Sequence, residues 1–287
     1  MKMEKTLFLI SILTLFVFAA GASCAQERAR IQCYDVLGLP GSKQKLFAKV
    51  EDMGTLKFAK DIKNITVNFT LGNASLGQTV TADNGFAFVE YELPADSSKD
   101  LIVTCRLAPG SDYVADDANL FIAVRDNNTQ ILITDIDHTI ADVSSAAFLI
   151  KSNEEVQPLA NSAEVLGRLS KTYTIVYLTG REEIFMTKTK AWLKMRNFPA
   201  GPAFFWDLGH KPFGSGEYKT EAIKELKKTY PNIAAGMGDL VTDAKAYLDN
   251  GMRAFFIGES KPEDLPEKAE FVKSWLEIEK KLSEESK

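Results

Sequence analysis

The chain is poor in the residues that carry several common chemistries. Of its 287 residues, two are histidine and three are cysteine. His138 and His210 lie far apart in the sequence, which argues against a histidine-based phosphatase mechanism. No cysteine has the paired spacing of a zinc site. A net charge of −5, a pI near 5.3 and the absence of a long basic run argue against nucleic acid as a main partner.

The chain also lacks an apolar run of the roughly 20 residues that span a bilayer. The apolar run at residues 7–20 follows Lys2 and Lys5 and precedes small residues around Cys24. This pattern predicts a signal peptide over residues 1–25 and an exported protein. Two outcomes stay open: secretion after simple cleavage, or lipidation of Cys24, which would give a periplasmic lipoprotein attached peripherally to the membrane.

The two other cysteines, Cys33 and Cys105, also admit two interpretations. An exported protein can keep a disulfide between them. Alternatively, both are buried, unpaired thiols that pack as small hydrophobic side chains.

Residues 26–127 read as short strands separated by turns, without a clear helix. This pattern predicts an antiparallel β-sandwich. The hairpin at residues 77–87 resembles the hairpins of bacterial immunoglobulin-like modules. No catalytic constellation falls in this part, so it is interpreted as an immunoglobulin-like spacer or docking domain.

Residues 128–287 alternate between strand and helix patterns, which predicts an α/β domain with a parallel sheet covered by helices on both faces. The last helix is expected over about residues 262–282, where apolar residues recur at helical spacing. In such folds, ligands bind beyond the carboxyl ends of the strands.

Polar residues follow the predicted strands at that edge. Asp135 and Asp137 end the first strand, where Asp135 can attack phosphorus and Asp137 can protonate the leaving oxygen and later activate water. Thr179 and Gly180 end the second strand just before a helix, a position suited to binding phosphate. Lys219 lies near the start of another helix and can neutralise phosphate charge.

Two more carboxylates complete the set. Asp239 and Asp243 follow a later strand in the segment Gly-Asp-x-x-x-Asp. Oxygen ligands of this kind suit Mg²⁺. The sequence therefore predicts a magnesium site at this edge of the sheet.

These segments, in this order, resemble the four motifs of the haloacid dehalogenase superfamily, a Rossmann-like fold. The resemblance implies phosphate-ester hydrolysis through an aspartyl-phosphate, with Thr139, Thr179, Gly180 and Lys219 binding substrate. It also implies that Mg²⁺ is held by the Asp135 side chain, the Asp137 carbonyl and Asp239, with Asp243 in support.

The segments between Thr139, Thr179 and Lys219 are too short to add a separate cap domain, so an open site is expected. The first motif also resembles that of the lipin-type phosphatidate phosphatases, although His138 replaces the glycine found there. Phosphatidate is therefore one candidate substrate. The alternatives are a general periplasmic phosphatase for soluble, nucleotide or protein phosphates, and a phosphatidate-binding protein without catalysis, which the intact Asp135 and Asp137 disfavour.

Overall fold

A computed structural model of the chain describes residues 26–53, 59–96, 98–206 and 214–284. The predicted signal peptide, Cys24 and His210 lie outside these residues. Within the described ranges, no helix is both long enough and apolar enough to span a bilayer.

The first part of the described chain forms two facing β-sheets. Their strand orders are β6-β3-β1-β8 and β2-β9-β7-β4-β5. The strands are β1 Glu27–Cys33, β2 Val36–Gly38, β3 Lys43–Asp52, β4 Thr66–Leu71, β5 Ala74–Val80, β6 Phe86–Glu92, β7 Leu101–Leu107, β8 Tyr113–Val114 and β9 Ala118–Val124.

Alternation along the strands builds the core between these sheets. Leu46 and Val50 of β3 are fully buried, as are Val67 and Phe69 of β4, because every second side chain of a strand points to the same face. The predicted β-sandwich is confirmed. It is not wholly antiparallel, however, because β8 pairs with β1 and β2 pairs with β9 in parallel.

Cys33 and Cys105 lie in this core as buried free thiols that hydrogen-bond to each other. Burial, followed by that hydrogen bond, raises the pKa of the Cys33 thiol well above its ordinary value. Of the two interpretations of these cysteines, the structure shows the unpaired one.

The second part is built on a parallel sheet with the strand order β12-β11-β10-β13-β14-β15. The strands are β10 Ile131–Thr134, β11 Thr174–Glu182, β12 Ala203–Trp206, β13 Ile233–Gly238, β14 Arg253–Ile257 and β15 Glu270–Val272.

Helices cover both faces of this sheet. Leu132 and Ile133 are neighbours in β10 and join separate apolar clusters, which contain Trp192 and Trp275 on one face and Ile223 on the other. The predicted α/β fold is thereby confirmed. The helices are α1 Ser145–Ile150, α2 Ser162–Leu169, α3 Met186–Met195, α4 Ser215–Thr229, α5 Val241–Asp249 and α6 Trp275–Glu284, and the short 3-10 helix η1 Glu183–Phe185 precedes α3.

The expected last helix over residues 262–282 is wrong in its first half. Residues Glu270–Val272 form the edge strand β15, and α6 begins only at Trp275. The apolar residues Ala269 and Val272 are buried against the sheet edge. The Glu270 carboxylate also accepts a hydrogen bond from the Arg253 guanidinium of β14 at 2.7 Å, a cross-strand pair that fixes the strand.

Buried polar contacts join the sandwich to the α/β part. The Asp35 carboxylate, whose side chain is 1% exposed, pairs with the Lys190 ammonium of α3 at 2.5 Å. It also accepts the backbone N–H of Ala203 at 3.0 Å. Glu183 of η1 accepts from the Tyr34 hydroxyl at 2.5 Å and the Lys49 ammonium at 2.7 Å. The sandwich therefore contacts β12, η1 and α3 directly.

Substituting Asp35 with alanine is expected to lower the free energy of unfolding by about 3–5 kcal/mol, because it removes the carboxylate that pairs with Lys190 and accepts from two backbone N–H groups. Denaturant unfolding measures this loss. Asp117→Ala removes a carboxylate from an exposed pair with Arg106 and should cost less than about 1 kcal/mol. Equal losses in the two variants would contradict the buried contact.

Candidate active site

The site is centred where β10 and β13 end side by side. Thr134 of β10 pairs with Met237 of β13, and the N–H of Asp135 donates to the Met237 carbonyl at 2.9 Å. Asp135 and Asp239 directly follow these two strands, so their side chains emerge at the same edge of the sheet.

Two helices bring the remaining charged groups to this edge. Asp243 lies in the first turn of α5, and a Cβ added at Gly238 would lie 2.6 Å from the Asp243 Cβ, so this approach requires glycine. Lys219 of α4 is 2% exposed, and its ammonium lies 2.6 Å from Asp243 Oδ1 and 3.1 Å from Asp135 Oδ2. One buried cation thus bridges two buried carboxylates.

Asp135, Asp239 and Asp243 form a group that can accept a cation. One carboxylate oxygen from each lies within 4.8 Å of the others. Among the described residues, Asp135 Oδ1, Asp239 Oδ1 and Asp243 Oδ2 are buried without a hydrogen-bond partner. The three carboxylates outnumber the one lysine, Lys219, so the group has excess negative charge when all three are ionised. A hard divalent cation with oxygen ligands fits both the charge and the unpaired oxygens.

The protein environment disfavours the ionised forms of Asp135 and Asp239 in the absence of a cation. Burial, opposed by the charge of Lys219, raises the pKa of Asp135 to about 6. Burial and the charges of Asp135 and Asp243 raise the pKa of Asp239 to about 7. Burial lowers the pKa of Lys219, but the neighbouring Asp135 and Asp243 outweigh it and the net pKa is raised. Lys219 therefore stays charged.

Asp137 lies outside the three-acid group. Its carboxylate accepts from the Arg181 guanidinium, with Nη2–Oδ1 at 2.8 Å and Nε–Oδ2 at 3.0 Å, and from the Ser145 hydroxyl. Sequence reasoning missed both partners. The sequence does place Arg181 directly after Thr179 and Gly180, at the end of a buried strand. A buried arginine requires an anionic partner, so this position could have indicated an ion pair.

The remaining predicted residues line the same end of the sheet. Thr179 is buried within β11, and its hydroxyl accepts the N–H of Arg181 at 3.2 Å. β11 continues past Gly180 to Glu182, and helical structure begins at η1. Thr139 is buried with an unpaired hydroxyl among the described residues, while its carbonyl accepts from the Trp275 indole at 2.8 Å. The phosphate-binding roles of these three residues stay predictions.

Comparison with known families agrees with the sequence interpretation of this part. Residues 132–258 match the family model described as PITM 1-3, LNS2 domain. The chain is therefore similar to the LNS2 domain family over this segment. All four segments identified as motifs fall within the match.

Solved structures resemble each half of the chain at low identity. A haloacid dehalogenase-like hydrolase from Streptococcus pneumoniae is 15% identical over 54% of this chain and 98% of its own, with a TM-score of 0.41. A putative haloacid-dehalogenase-like phosphatase from Mesorhizobium loti is 13% identical over 66% of this chain and 93% of its own, with a TM-score of 0.41. Fibronectin(III)-like modules of Clostridium thermocellum CbhA are 12% identical over 34% of this chain and 47% of theirs, with a TM-score of 0.25.

At this level of similarity these structures assign no function. A search of curated proteins found no match. The LNS2 family match and the geometry of the site therefore carry the functional interpretation.

Replacing Asp239 with asparagine is expected to raise the melting temperature of the metal-free protein at pH 7.5. The raised folded-state pKa of Asp239 means that stability falls as pH rises from the ordinary value of 3.8 through about 7, and the amide removes this charge. A gain of about 2–4 °C corresponds to roughly 1 kcal/mol in a protein of this size. Calorimetry with a chelator present measures it.

The same measurement with MgCl₂ added tests the cation site. Magnesium should raise the melting temperature of the wild type, more at pH 7.5 than at pH 5 because ligands must be deprotonated, and should do so far less in Asp239→Asn. The exposed Asp264→Asn serves as the control. Equal magnesium effects in all three proteins would contradict the site.

Proposed function

We propose that the LNS2-like segment is a magnesium-dependent phosphate-monoester hydrolase that works through an aspartyl-phosphate on Asp135. The observation that carries this proposal is the buried Asp135 carboxylate, which contacts the Lys219 ammonium and lies beside two further acids with unpaired oxygens. A stability role alone gives no reason to place three acids beside one cation, because the repulsion between the acids is unfavourable.

The metal would be held by Asp135 and Asp239, with Asp243 and the carbonyl of Asp137 as further ligands. Bound there, Mg²⁺ would neutralise the charge of the phosphate and orient it. The unpaired oxygens of Asp135, Asp239 and Asp243 support this assignment. The other steps belong to residues of the chain.

Asp135 is proposed to attack the phosphorus atom with a carboxylate oxygen, breaking the bond between phosphorus and the leaving oxygen. Asp137 gives a proton to that oxygen and later takes one from the water that hydrolyses the aspartyl-phosphate. Lys219 contacts Asp135 directly, so it can hold the attacking carboxylate in place and offset charge on the phosphate. Thr139, Thr179 and Gly180 are proposed to contact the phosphate.

The proposed substrate is phosphatidate, presented at a lipid surface. Among the described residues, the segment between β10 and β11 contains α1 and α2, and the segment between β11 and β12 contains η1 and α3. Neither segment forms a separate cap over the site. Leu240 directly follows Asp239, yet its side chain is 48% exposed. An exposed leucine beside the acids suits contact with apolar lipid more than a dissolved sugar or nucleotide phosphate.

Location at a membrane is part of this proposal. The predicted signal peptide would export the protein, and a lipid on Cys24 would hold it next to its substrate. A secreted protein could reach the same substrate through the exposed Leu240.

Asp135→Asn is expected to lower phosphate release on the order of 10³-fold or more, because an amide cannot form the aspartyl-phosphate. Lys219→Ala should lower it less, about 10²–10³-fold, since the attacking atom remains. A phosphate-release assay with Mg²⁺ measures both. The matched control is Asp142→Asn, an exposed position near the site, which should stay within about twofold of wild type. Asp135→Asn activity within tenfold of wild type would reject the mechanism.

Leu240→Ser is expected to lower kcat/KM for phosphatidate in mixed micelles about tenfold, the factor that roughly 1.5 kcal/mol of lost apolar burial gives. Glucose phosphate turnover should be unchanged. Leu276→Ser provides the control, because Leu276 is 50% exposed on α6 and lies away from the acids in sequence.

A higher kcat/KM for a soluble monoester than for phosphatidate would favour a general phosphatase. Binding of phosphatidate with no phosphate release from any substrate would favour a non-catalytic binding protein.

A further inference from the structure

Arg181 is the most completely buried charged side chain near the site, with a side-chain exposure of 0%. A buried guanidinium is stable only when its donors meet acceptors. Two of its nitrogens bind both oxygens of Asp137, at 2.8 and 3.0 Å. This is a bidentate pair, the strongest and most directional form that an arginine makes with a carboxylate.

Other contacts hold Arg181 itself in place. Its Nη1 donates to the Thr189 hydroxyl of α3 at 3.0 Å. Its guanidinium carbon lies 3.8 Å from the centre of the Phe148 ring of α1, a cation–π contact. Contacts with α1 and α3 therefore fix the position of the guanidinium, and its two hydrogen bonds in turn fix the position of the Asp137 carboxylate.

The Ser145 hydroxyl provides the third hydrogen bond to Asp137. It donates to Oδ2 at 2.5 Å, the same oxygen that accepts from Arg181 Nε. A carboxylate oxygen has about two lone pairs. Oδ2 therefore accepts as many bonds as it has lone pairs, whereas Oδ1 accepts one bond from Arg181 and has one lone pair left, counting the described residues.

We propose that Arg181 is the positioning residue of Asp137 and aims Oδ1 at the reacting phosphate. This inference rests on the proposed function, in which Asp137 handles the proton. The proton moves from Oδ1 to the leaving oxygen as its bond to phosphorus breaks, and a proton from the attacking water returns to Oδ1. Arg181 stays cationic throughout and transfers nothing. Ser145 keeps Oδ2 out of the reaction.

The test compares two substrates that differ in their need for an acid. An alkyl phosphate has a poor leaving group that must be protonated, whereas p-nitrophenyl phosphate has a good one. Arg181→Lys keeps the charge but loses the bidentate fork. Its kcat/KM for butyl phosphate is expected to fall about 100-fold, within the range for acid catalysis. For p-nitrophenyl phosphate the fall should stay within about threefold. A purely structural role would lower both by the same factor.

Further variants sharpen this result. Asp137→Asn should show the same substrate dependence, and the double variant should be no slower than the slower single one, because the two residues act as a unit. Arg168→Lys makes the same chemical change in an exposed bidentate pair with Glu279. It should leave kcat/KM for both substrates unchanged. If Arg181→Lys does not fold, Thr189→Val removes the hydrogen bond that holds Arg181 Nη1. It should lower kcat/KM for butyl phosphate about three- to tenfold and leave kcat/KM for p-nitrophenyl phosphate unchanged.

The proposed function and the positioning role fail in different ways. A wild type that releases no phosphate from any substrate overturns the proposed function. The positioning role is then decided by a crystal structure of Arg181→Lys or, should that variant not fold, of Thr189→Val, which removes the hydrogen bond to Arg181 Nη1. An Asp137 carboxylate displaced from its wild-type position is expected, and an unmoved carboxylate overturns the inference. If the wild type is active, an equal fall in the kcat/KM of Arg181→Lys for both substrates also overturns the positioning role.

Discussion

The site depends on the burial of Asp135 and Asp243 against the ammonium of Lys219, with the half-buried Asp239 beside them. Loss of hydration and the neighbouring carboxylates raise the pKa of Asp135 and Asp239, so the arrangement is unfavourable without compensation. The fold supplies part of it by placing β10 beside β13 and delivering Lys219 from α4. A divalent cation would supply the rest. The excess negative charge of the three acids is what the proposed cation would neutralise.

A second layer of contacts makes this arrangement rigid. Arg181 fixes Asp137, and the Trp275 indole holds the carbonyl of Thr139, so α6 supports the loop after β10 from the far end of the chain. Two residues beyond Arg181, Glu183 is bound by Tyr34 and Lys49 of the sandwich. The sandwich therefore supports the end of β11, the strand that carries Arg181. The site depends on both parts of the chain, although every acid in it comes from the second.

The parts predictable from the sequence were those set by local pattern. Strand periodicity gave the parallel sheet, and strand ends of a parallel sheet share one edge, so the meeting of Asp135, Asp239 and Asp243 followed. The pairing of Arg181 with Asp137 did not, because it depends on rotamers and on packing against Phe148. Edge strand β15 was missed because three residues show no period and Val272 shares helical spacing with the apolar residues of α6. The contact of Asp35 with Lys190 joins residues far apart in sequence, beyond any local signal.

The central claim is that Asp135 is the phosphoryl acceptor of a magnesium site formed with Asp239. A crystal structure of the protein soaked with Mg²⁺ and beryllofluoride, a mimic of a phosphoryl group, tests it most directly. Beryllium is expected to bond to a carboxylate oxygen of Asp135, with fluoride within hydrogen-bond distance of Lys219 and Mg²⁺ bound by Asp135 and Asp239. Beryllofluoride bonded to another residue, or Mg²⁺ bound away from these acids, would contradict it.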